Sequence, residues 1–301
     1  MRSMPFRSGF IAIIGAPNVG KSTLLNAVLG EKVSIVSRKP QTTRNVIRGV
    51  KNVEDGDGAQ LIFLDTPGIH RGEGALNAFM VREAVGALHD VDCVALLIDV
   101  SRKESGDDAL AFENLKPLKC PVMLILNKVD LVAKNKLLPL MDSYSKKFAF
   151  KEIIPVSALK GDGLGRFVEA TIGVLPEGPE YFPKDMATDQ PERFIVAEIV
   201  REKIFNMAHE EVPYSVAVVT EEFTERPGKN LIAIRGAINV ERESQKAIII
   251  GKKGEMIKKI GVAAREDIER LLGVKVFLEL FVKVSKGWTA NSRSMREFGY
   301  E

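Results

Sequence analysis

The sequence predicts an α/β domain with a mostly parallel sheet, followed by a smaller α+β domain. Three observations carry that prediction. Through the first half, short apolar or β-branched runs alternate with helix-like stretches, as in a parallel sheet covered by helices. Each run stops at a polar residue or a glycine, where open α/β sheets set their ligand-binding loops. Near residues 175–191 the alternation breaks into LPEGPEYFPKDMATDQP, rich in proline and acidic residues, which reads as an interdomain connection.

The strands of the first part are FIAIIG ending at Gly15, LIFLD ending at Asp65, CVALLID ending at Asp99, VMLILN ending at Asn127 and IIPVS ending at Ser157. Beyond the connection, a helical stretch runs from about Ala197 to His209, and YSVAVVT alternates like a half-buried strand. A turn at Arg226-Pro227-Gly228-Lys229 leads into LIAIRGAINV and completes a hairpin. AIIIGKKGEMIKKIGVAAREDIERLLG is helical around an internal GKKG, with Ile257, Ile260, Ala264, Ile268 and Leu271 on one face. VKVFLELFVKV forms a last strand before a polar tail. The expected boundaries are a first domain at 1–180, a linker at 181–191, a second domain at 192–286 and a tail at 287–301.

Composition narrows the class. The 301 residues exceed one ordinary core and suit two domains, and 45% hydrophobic with 28% charged content is that of a soluble globular protein. No apolar run approaches the length that crosses a bilayer. The apolar run near the N-terminus leads directly into a glycine-rich loop, so cleaving it as a signal would destroy that loop, and a cytosolic protein is expected. Cys93 and Cys120 lie in or beside strand-like runs and read as reduced core residues, while His70, His89 and His209 are scattered and form no ligand set. The net charge of +3 is mild, but residues 246–301 hold 12 basic and 7 acidic side chains, so positive charge gathers near the C-terminus.

Gly15-Ala16-Pro17-Asn18-Val19-Gly20-Lys21-Ser22 matches the phosphate-loop pattern, sits between a strand and the apolar-periodic helix TLLNAVLG beginning at Thr23, and points to a nucleotide triphosphate. Its glycines let successive N–H groups face phosphate oxygens at the positive end of a helix. Lys21 is expected to reach the β- and γ-phosphates and Ser22 to bind Mg²⁺. Asp65-Thr66-Pro67-Gly68 follows a strand; Asp65 can hold the metal through water and Gly68 can donate its N–H to the γ-phosphate. Alone it would be an ordinary turn; its spacing from the first loop gives it value. Asn127-Lys128-Val129-Asp130 selects the base, because the Asp130 carboxylate can accept two N–H bonds that guanine offers and adenine cannot. Ser157-Ala158-Leu159 can close over the guanine oxygen with a backbone N–H. Ile69 stands immediately after the DTPG run, and an alkyl side chain cannot orient water, so slow hydrolysis is expected.

Gly251-Lys252-Lys253-Gly254 is a GxxG element, which by itself reads as a solvated surface turn. The charge bias and the order helix, hairpin, helix, strand, together with the family resemblance given below, turn the reading to a loop against nucleic-acid phosphates, with Lys258 and Lys259 farther along the same helix extending the positive strip. In the tail, Trp288, Phe298 and Tyr300 lie near Arg293 and Arg296 and suit either stacking on bases or packing of the tail onto its domain.

The motif series, the Gln41-Thr42-Thr43-Arg44 segment and the tail KGWTANSRSMREFGY resemble the Era-type branch of the translation-factor-related GTPases over nearly the whole chain. The resemblance implies a phosphate-loop GTPase domain followed by a type II KH RNA-binding domain, with GTP/GDP and Mg²⁺ as ligands. It implies that Thr43 completes the Mg²⁺ shell, with Thr42 as the adjacent alternative. Potassium-activated relatives hold K⁺ with the asparagine that is Asn18 here, which leaves K⁺ open as a further cofactor. It also implies a cytoplasmic monomer that grips the single-stranded 3′ end of 16S rRNA and acts in assembly of the 30S subunit. Two other classes stand beside this reading. One is a nucleotide-consuming metabolic enzyme such as a kinase; the other is a signalling GTPase, peripheral on the inner membrane, whose second domain meets protein or lipid through a basic helix.

Overall fold

A computed structural model of the chain describes residues 6–54, 58–228 and 230–300. Lys229 of the expected hairpin turn lies outside those residues. Contacts divide the chain into two compact units. The first comprises residues 1–34, 43–72 and 80–189, the second residues 35–42, 73–79 and 190–301.

The first unit is built on a six-stranded sheet in the order β2-β3-β1-β4-β5-β6. Its strands are β1 (Arg7–Ile14), β2 (Ile47–Val53), β3 (Ala59–Asp65), β4 (Cys93–Asp99), β5 (Val122–Asn127) and β6 (Glu152–Pro155). All pairings are parallel except β2 with β3. β3, β4 and β5 are buried at every position, as strands covered on both faces must be, and this is why they read as unbroken apolar runs. The helices between residues 21 and 174 are, in chain order, α1 (Lys21–Leu29), α2 (Ala75–Gly86), α3 (Gly106–Glu113), α4 (Leu137–Ser145) and α5 (Leu164–Val174), of which residues 75–79 of α2 count with the second unit.

The edge strand β2, IRGVKNV, was absent from the sequence expectation. Its isoleucine and valines are spaced by arginine, glycine, lysine and asparagine, so it carries no continuous apolar run. The proline-rich segment runs along this edge and its neighbours. Val50 N donates to Ala187 O at 2.8 Å, and the N–H groups of Tyr181 and Phe182 both donate to Gln60 Oε1, at 2.7 and 2.9 Å. Arg48 pairs with Asp189. Two backbone groups of the β2 edge are thereby engaged, Val50 N–H by Ala187 O and Arg48 O by the Thr188 hydroxyl.

The second unit contains α6 (Glu192–Met207), β7 (Ala217–Arg226), β8 (Leu231–Val240), α7 (Glu243–Ile250), α8 (Glu255–Leu272), β9 (Lys275–Val284) and α9 (Ser292–Glu297). β7 and β8 form an antiparallel hairpin, and β9 returns parallel to β8. The expected strand YSVAVVT begins only at Ala217, because Val212–Ser215 makes a tight helical turn. On α8, Ile260, Ala264 and Ile268 are fully buried in the core with residues of α6 and the sheet. Leu271, expected on that face, is 38% exposed, because it lies in the last turn before the Gly273 cap. Trp288 is fully buried, donates Nε1–H to Ser215 O at 2.9 Å and stacks on Tyr300, so this ring packs the tail onto the unit.

Candidate nucleotide site and nucleic-acid interface

The phosphate-type loop spans the turn from β1 into α1. Gly20 is the N-terminal cap of α1 with φ 101°. A β-carbon there would lie 2.3 Å from Asn127 Nδ2, so both the backbone conformation and the space demand glycine. The same Asn127 amide donates to Val19 O at 2.8 Å, and its Oδ1 accepts from Lys128 N at 2.8 Å and Ala158 N at 3.0 Å. One buried side chain at the end of β5 thus ties the loop to the two segments expected at the base. Ala16 and Val19 are buried, Pro17 and Thr23 half-buried and Asn18 exposed.

Lys21 is buried, and its Nζ donates to Gly15 O at 3.1 Å and Ala16 O at 3.0 Å. Burial pushes its ammonium down to about 8, against the opposing pull of Asp65 and Asp108. Ser22 Oγ lies 2.9 Å from Thr43 Oγ1 and donates to Asp65 Oδ2 at 2.7 Å. Ser34, which the sequence reading missed, donates to the same carboxylate oxygen at 2.7 Å. Asp65 Oδ1 is buried without a hydrogen-bond partner among the described residues, and burial raises the pKa of this carboxyl despite the two serines and Lys21. Two hydroxyls beside a carboxylate with an unsatisfied oxygen form a hard-oxygen donor set that fits Mg²⁺. Thr42 faces elsewhere, its hydroxyl donating to Lys39 O at 2.7 Å. Arg44 is buried, and Gln41 Nε2 donates to Asn77 Oδ1 at 3.0 Å.

After Asp65, the Thr66 hydroxyl donates to Ile13 O at 2.8 Å, and beyond Pro67 and Gly68 the Ile69 N–H donates to Gly15 O at 3.1 Å. Ile69 is fully buried in the core with Ile14, Ala84 and Ile98, so it offers nothing to a water molecule. His70 follows, with Nδ1 2.8 Å from Gly68 O.

At the expected base site, Asp130 Oδ1 accepts from Ser157 Oγ at 2.6 Å. Lys128 adopts a left-handed conformation and bridges Asn18 O at 2.9 Å and Asp99 Oδ2 at 2.6 Å. The N–H groups of Ser157 and Ala158 are engaged by Asp162 O and Asn127 Oδ1, while the Leu159 side chain is 76% exposed. Asp99 was legible only as a strand stop; its pairing with Lys128 needed the fold.

In the second unit, Gly251 (φ 73°), Lys253 (φ 51°) and Gly254 (φ 80°) turn the GKKG loop between α7 and α8. A β-carbon at Gly251 would meet the Met256 backbone nitrogen at 2.9 Å. Lys252, Lys253, Lys258 and Lys259 are all exposed. Beside the loop, α8 and β9 form an open groove of about 340 Å³ lined by Ile257, Gly261, Val262, Leu278 and Leu280 together with the charged Lys258, Arg265 and Glu279. The strand residues and Arg265 escaped the sequence reading, since nothing in β9 marks which face meets the helix. Among the described residues no cluster of three His, Cys, Asp or Glu side chains could hold a metal, and no helix is long and apolar enough to cross a membrane.

A family model for the 50S ribosome-binding GTPase matches residues 10–128, and one for the KH domain matches residues 211–289. GTPase Era of Geotalea uraniireducens is 56% identical over 301 residues, covering all of both chains. This chain belongs to the Era family of GTPases. GTPase Era of Geobacter sp. strain M21 is equally similar, at 56% over the full length of both. Among solved structures, Era in complex with MgGDPNP and nucleotides 1506–1542 of 16S ribosomal RNA superposes with a TM-score of 0.94, at 45% identity over 98% of this chain and 99% of that one. An Aquifex aeolicus Era variant bound to GDP.AlF4- matches with the same TM-score of 0.94 and the same coverage. The protein is thus an Era-family GTPase, with a phosphate-loop domain followed by a KH domain.

Proposed function

We propose that this Era-family chain is a slow guanine-nucleotide switch that binds the single-stranded 3′ end of 16S rRNA and acts in assembly and maturation of the 30S subunit. The observation that carries the reading is its likeness, over 98% of its length, to a solved Era that holds both MgGDPNP and nucleotides 1506–1542 of that RNA.

The Gly15–Ser22 loop and the N-terminus of α1 receive the phosphates, and Lys21, freed from the Gly15 and Ala16 carbonyls, turns to them. Ser22 and Thr43, with Asp65 through water, would hold Mg²⁺, which when bound neutralises phosphate charge. Gly68 presents its N–H to the γ-phosphate. Asp130, oriented by Ser157, accepts from the guanine edge, while Asn127 braces the loops around it. With Ile69 sealed in the core, no side chain at that position orients the attacking water, so turnover is slow without a partner. In the KH unit the GKKG loop, Lys258 and Lys259 meet RNA phosphates, and the α8–β9 groove takes unstacked bases. The working boundaries are a GTPase domain at 1–180, a connection at 181–191, the KH domain at 192–286 and a tail at 287–301, in a cytoplasmic monomer.

The test pairs two measurements on the intact protein. Anisotropy with a labelled 16S 3′-end fragment should give tighter binding with a non-hydrolysable GTP analogue than with GDP. Phosphate release without any acceptor should be detectable and slow. RNA affinity no better than for an unrelated single strand, or fast intrinsic release, would overturn the reading.

A further inference from the structure

The three-stranded sheet of the second unit has two faces of different character. Even-numbered residues of β8 and β9, among them Ile232, Ile234, Ile238, Val276 and Val282, join the core with residues of α6, α7 and α8. The odd-numbered residues point the other way, because successive side chains of a strand alternate. On that outer side Phe277 is 58% exposed, and Arg235, Lys275, Glu279 and Lys283 are exposed beside it.

The register lays this face out in rows. Phe277 stands opposite Ala233, Glu279 opposite Arg235, and Phe281 opposite Ala237. Each ring thus has an alanine for its neighbour on β8, and no long side chain rises there to block its approach. The Arg235 guanidinium lies 4.8 Å and the Lys283 ammonium 4.9 Å from the centre of the Phe281 ring. Both cations make surface ion pairs, Arg235 with Glu279 at 3.6 Å and Lys283 with Glu221 at 2.5 Å. Such pairs contribute little, so a phosphate that displaces the carboxylate does so at small cost.

Sequence spacing sets the two rings about 13 Å apart along one strand. Rings at intervals with cations between them match what a single strand offers, flat bases separated by phosphates. Every exposed residue on this side of β8 and β9 other than Phe277 is charged, which leaves too little apolar area for the core of a protein interface. Arg235, Lys275 and Lys283 outnumber Glu279 there, although Glu222 of β7 stands on the far side of Arg235.

We propose that the outer face of β8 and β9 is a second nucleic-acid platform, on which Phe277 and Phe281 stack unpaired bases. This rests on the reading of the unit as an RNA binder. β9 is an edge strand, and Glu279, on the outer face by register, also lines the α8–β9 groove. A strand held at the GKKG loop therefore reaches the platform by passing round that edge.

The test uses the intact protein and two labelled RNAs: the 16S 3′-end fragment and a strand of about four nucleotides, the length a KH loop grips. Phe277→Ala should weaken the fragment about tenfold, the size of one lost stack, and leave the short strand within about twofold. Phe277→Leu, apolar but unable to stack, should lose as much, whereas Phe277→Trp should bind at least as tightly as the parent. With photoreactive thiouridine in the fragment, crosslinks should map to Phe277 or Phe281. Unchanged fragment affinity, equal losses for both RNAs, or crosslinks confined to the GKKG loop would overturn the proposal. So would intact RNA binding with lost self-association, which would give the face to a second copy of this chain. A parent that binds neither RNA would instead overturn the functional reading and this inference with it.

Discussion

The two candidate sites present their charged groups in opposite ways. At the nucleotide loop the working groups are buried and already committed: Lys21 to two loop carbonyls, Asp65 to two serines, Asn127 to both flanking segments. At the GKKG loop the lysines stand in solvent beside an open groove. Charge in the first site acts in a medium of low polarity at fixed distances, and so can discriminate single atoms. Charge in the second is screened, tolerant of phosphate position and sensitive to salt. The contrast suits the ligands proposed for them, a single γ-phosphate at the first and a flexible strand at the second.

The contrast can be broken most sharply at Gly20. Gly20→Ala places a side chain in a left-handed conformation and against Asn127, with a strain on the order of 1–3 kcal/mol. It should abolish guanine-nucleotide binding in calorimetry while leaving RNA binding by the nucleotide-free protein within about twofold; intact nucleotide affinity would show that the loop is less committed than its contacts imply. At the second site, Lys252→Asp with Lys253→Asp should abolish RNA binding at moderate salt and spare GTP. At low salt the residual binding should have a log–log salt slope shallower by about 1.4, two single-strand phosphate contacts at roughly 0.7 each. An unchanged slope would mean that the loop is not the phosphate contact.

The smallest effect expected is a proton. Burial holds Lys21 down to about 8, well below its value in an unfolded chain. Between pH 8 and 10.5 the unfolded chain then binds more protons at this residue than the folded one, so its contribution to stability improves as pH rises. Nucleotide phosphates reverse the shift, because they demand the ammonium. GTP binding near pH 8.5 should therefore take up a fraction of a proton, read from binding enthalpies in two buffers of different ionisation heat, and the uptake should shrink at pH 7, where the Lys21 ammonium is already mostly formed.

Legibility from sequence followed the same divide. Strands β1, β3, β4 and β5 were readable because burial on both faces leaves an apolar run that stops at a polar residue or a glycine. Gly20 of the first loop was readable because its left-handed backbone and the approach of Asn127 admit only glycine. β2 was not, since an edge strand paired on one side by another strand and on the other by the 181–189 segment needs no apolar run. Nor was the burial along α6. In sequence, Glu198, Arg201, Glu202 and Lys203 look like an ordinary solvated charge cluster, yet Arg201 and Glu202 are buried.

By itself the sequence determined the nucleotide chemistry, the order of the domains and the candidate RNA loop, because each is written in short stretches whose local conformation follows from the residues present. Tertiary structure alone decided that Thr43 rather than Thr42 stands beside Ser22, that Asn127 braces instead of pointing outward, that Trp288 is core, and that Arg201 of α6 is buried. Each of those depends on which groups distant in the chain find one another when water is excluded. That pairing is set by the whole fold, and no window of sequence contains it.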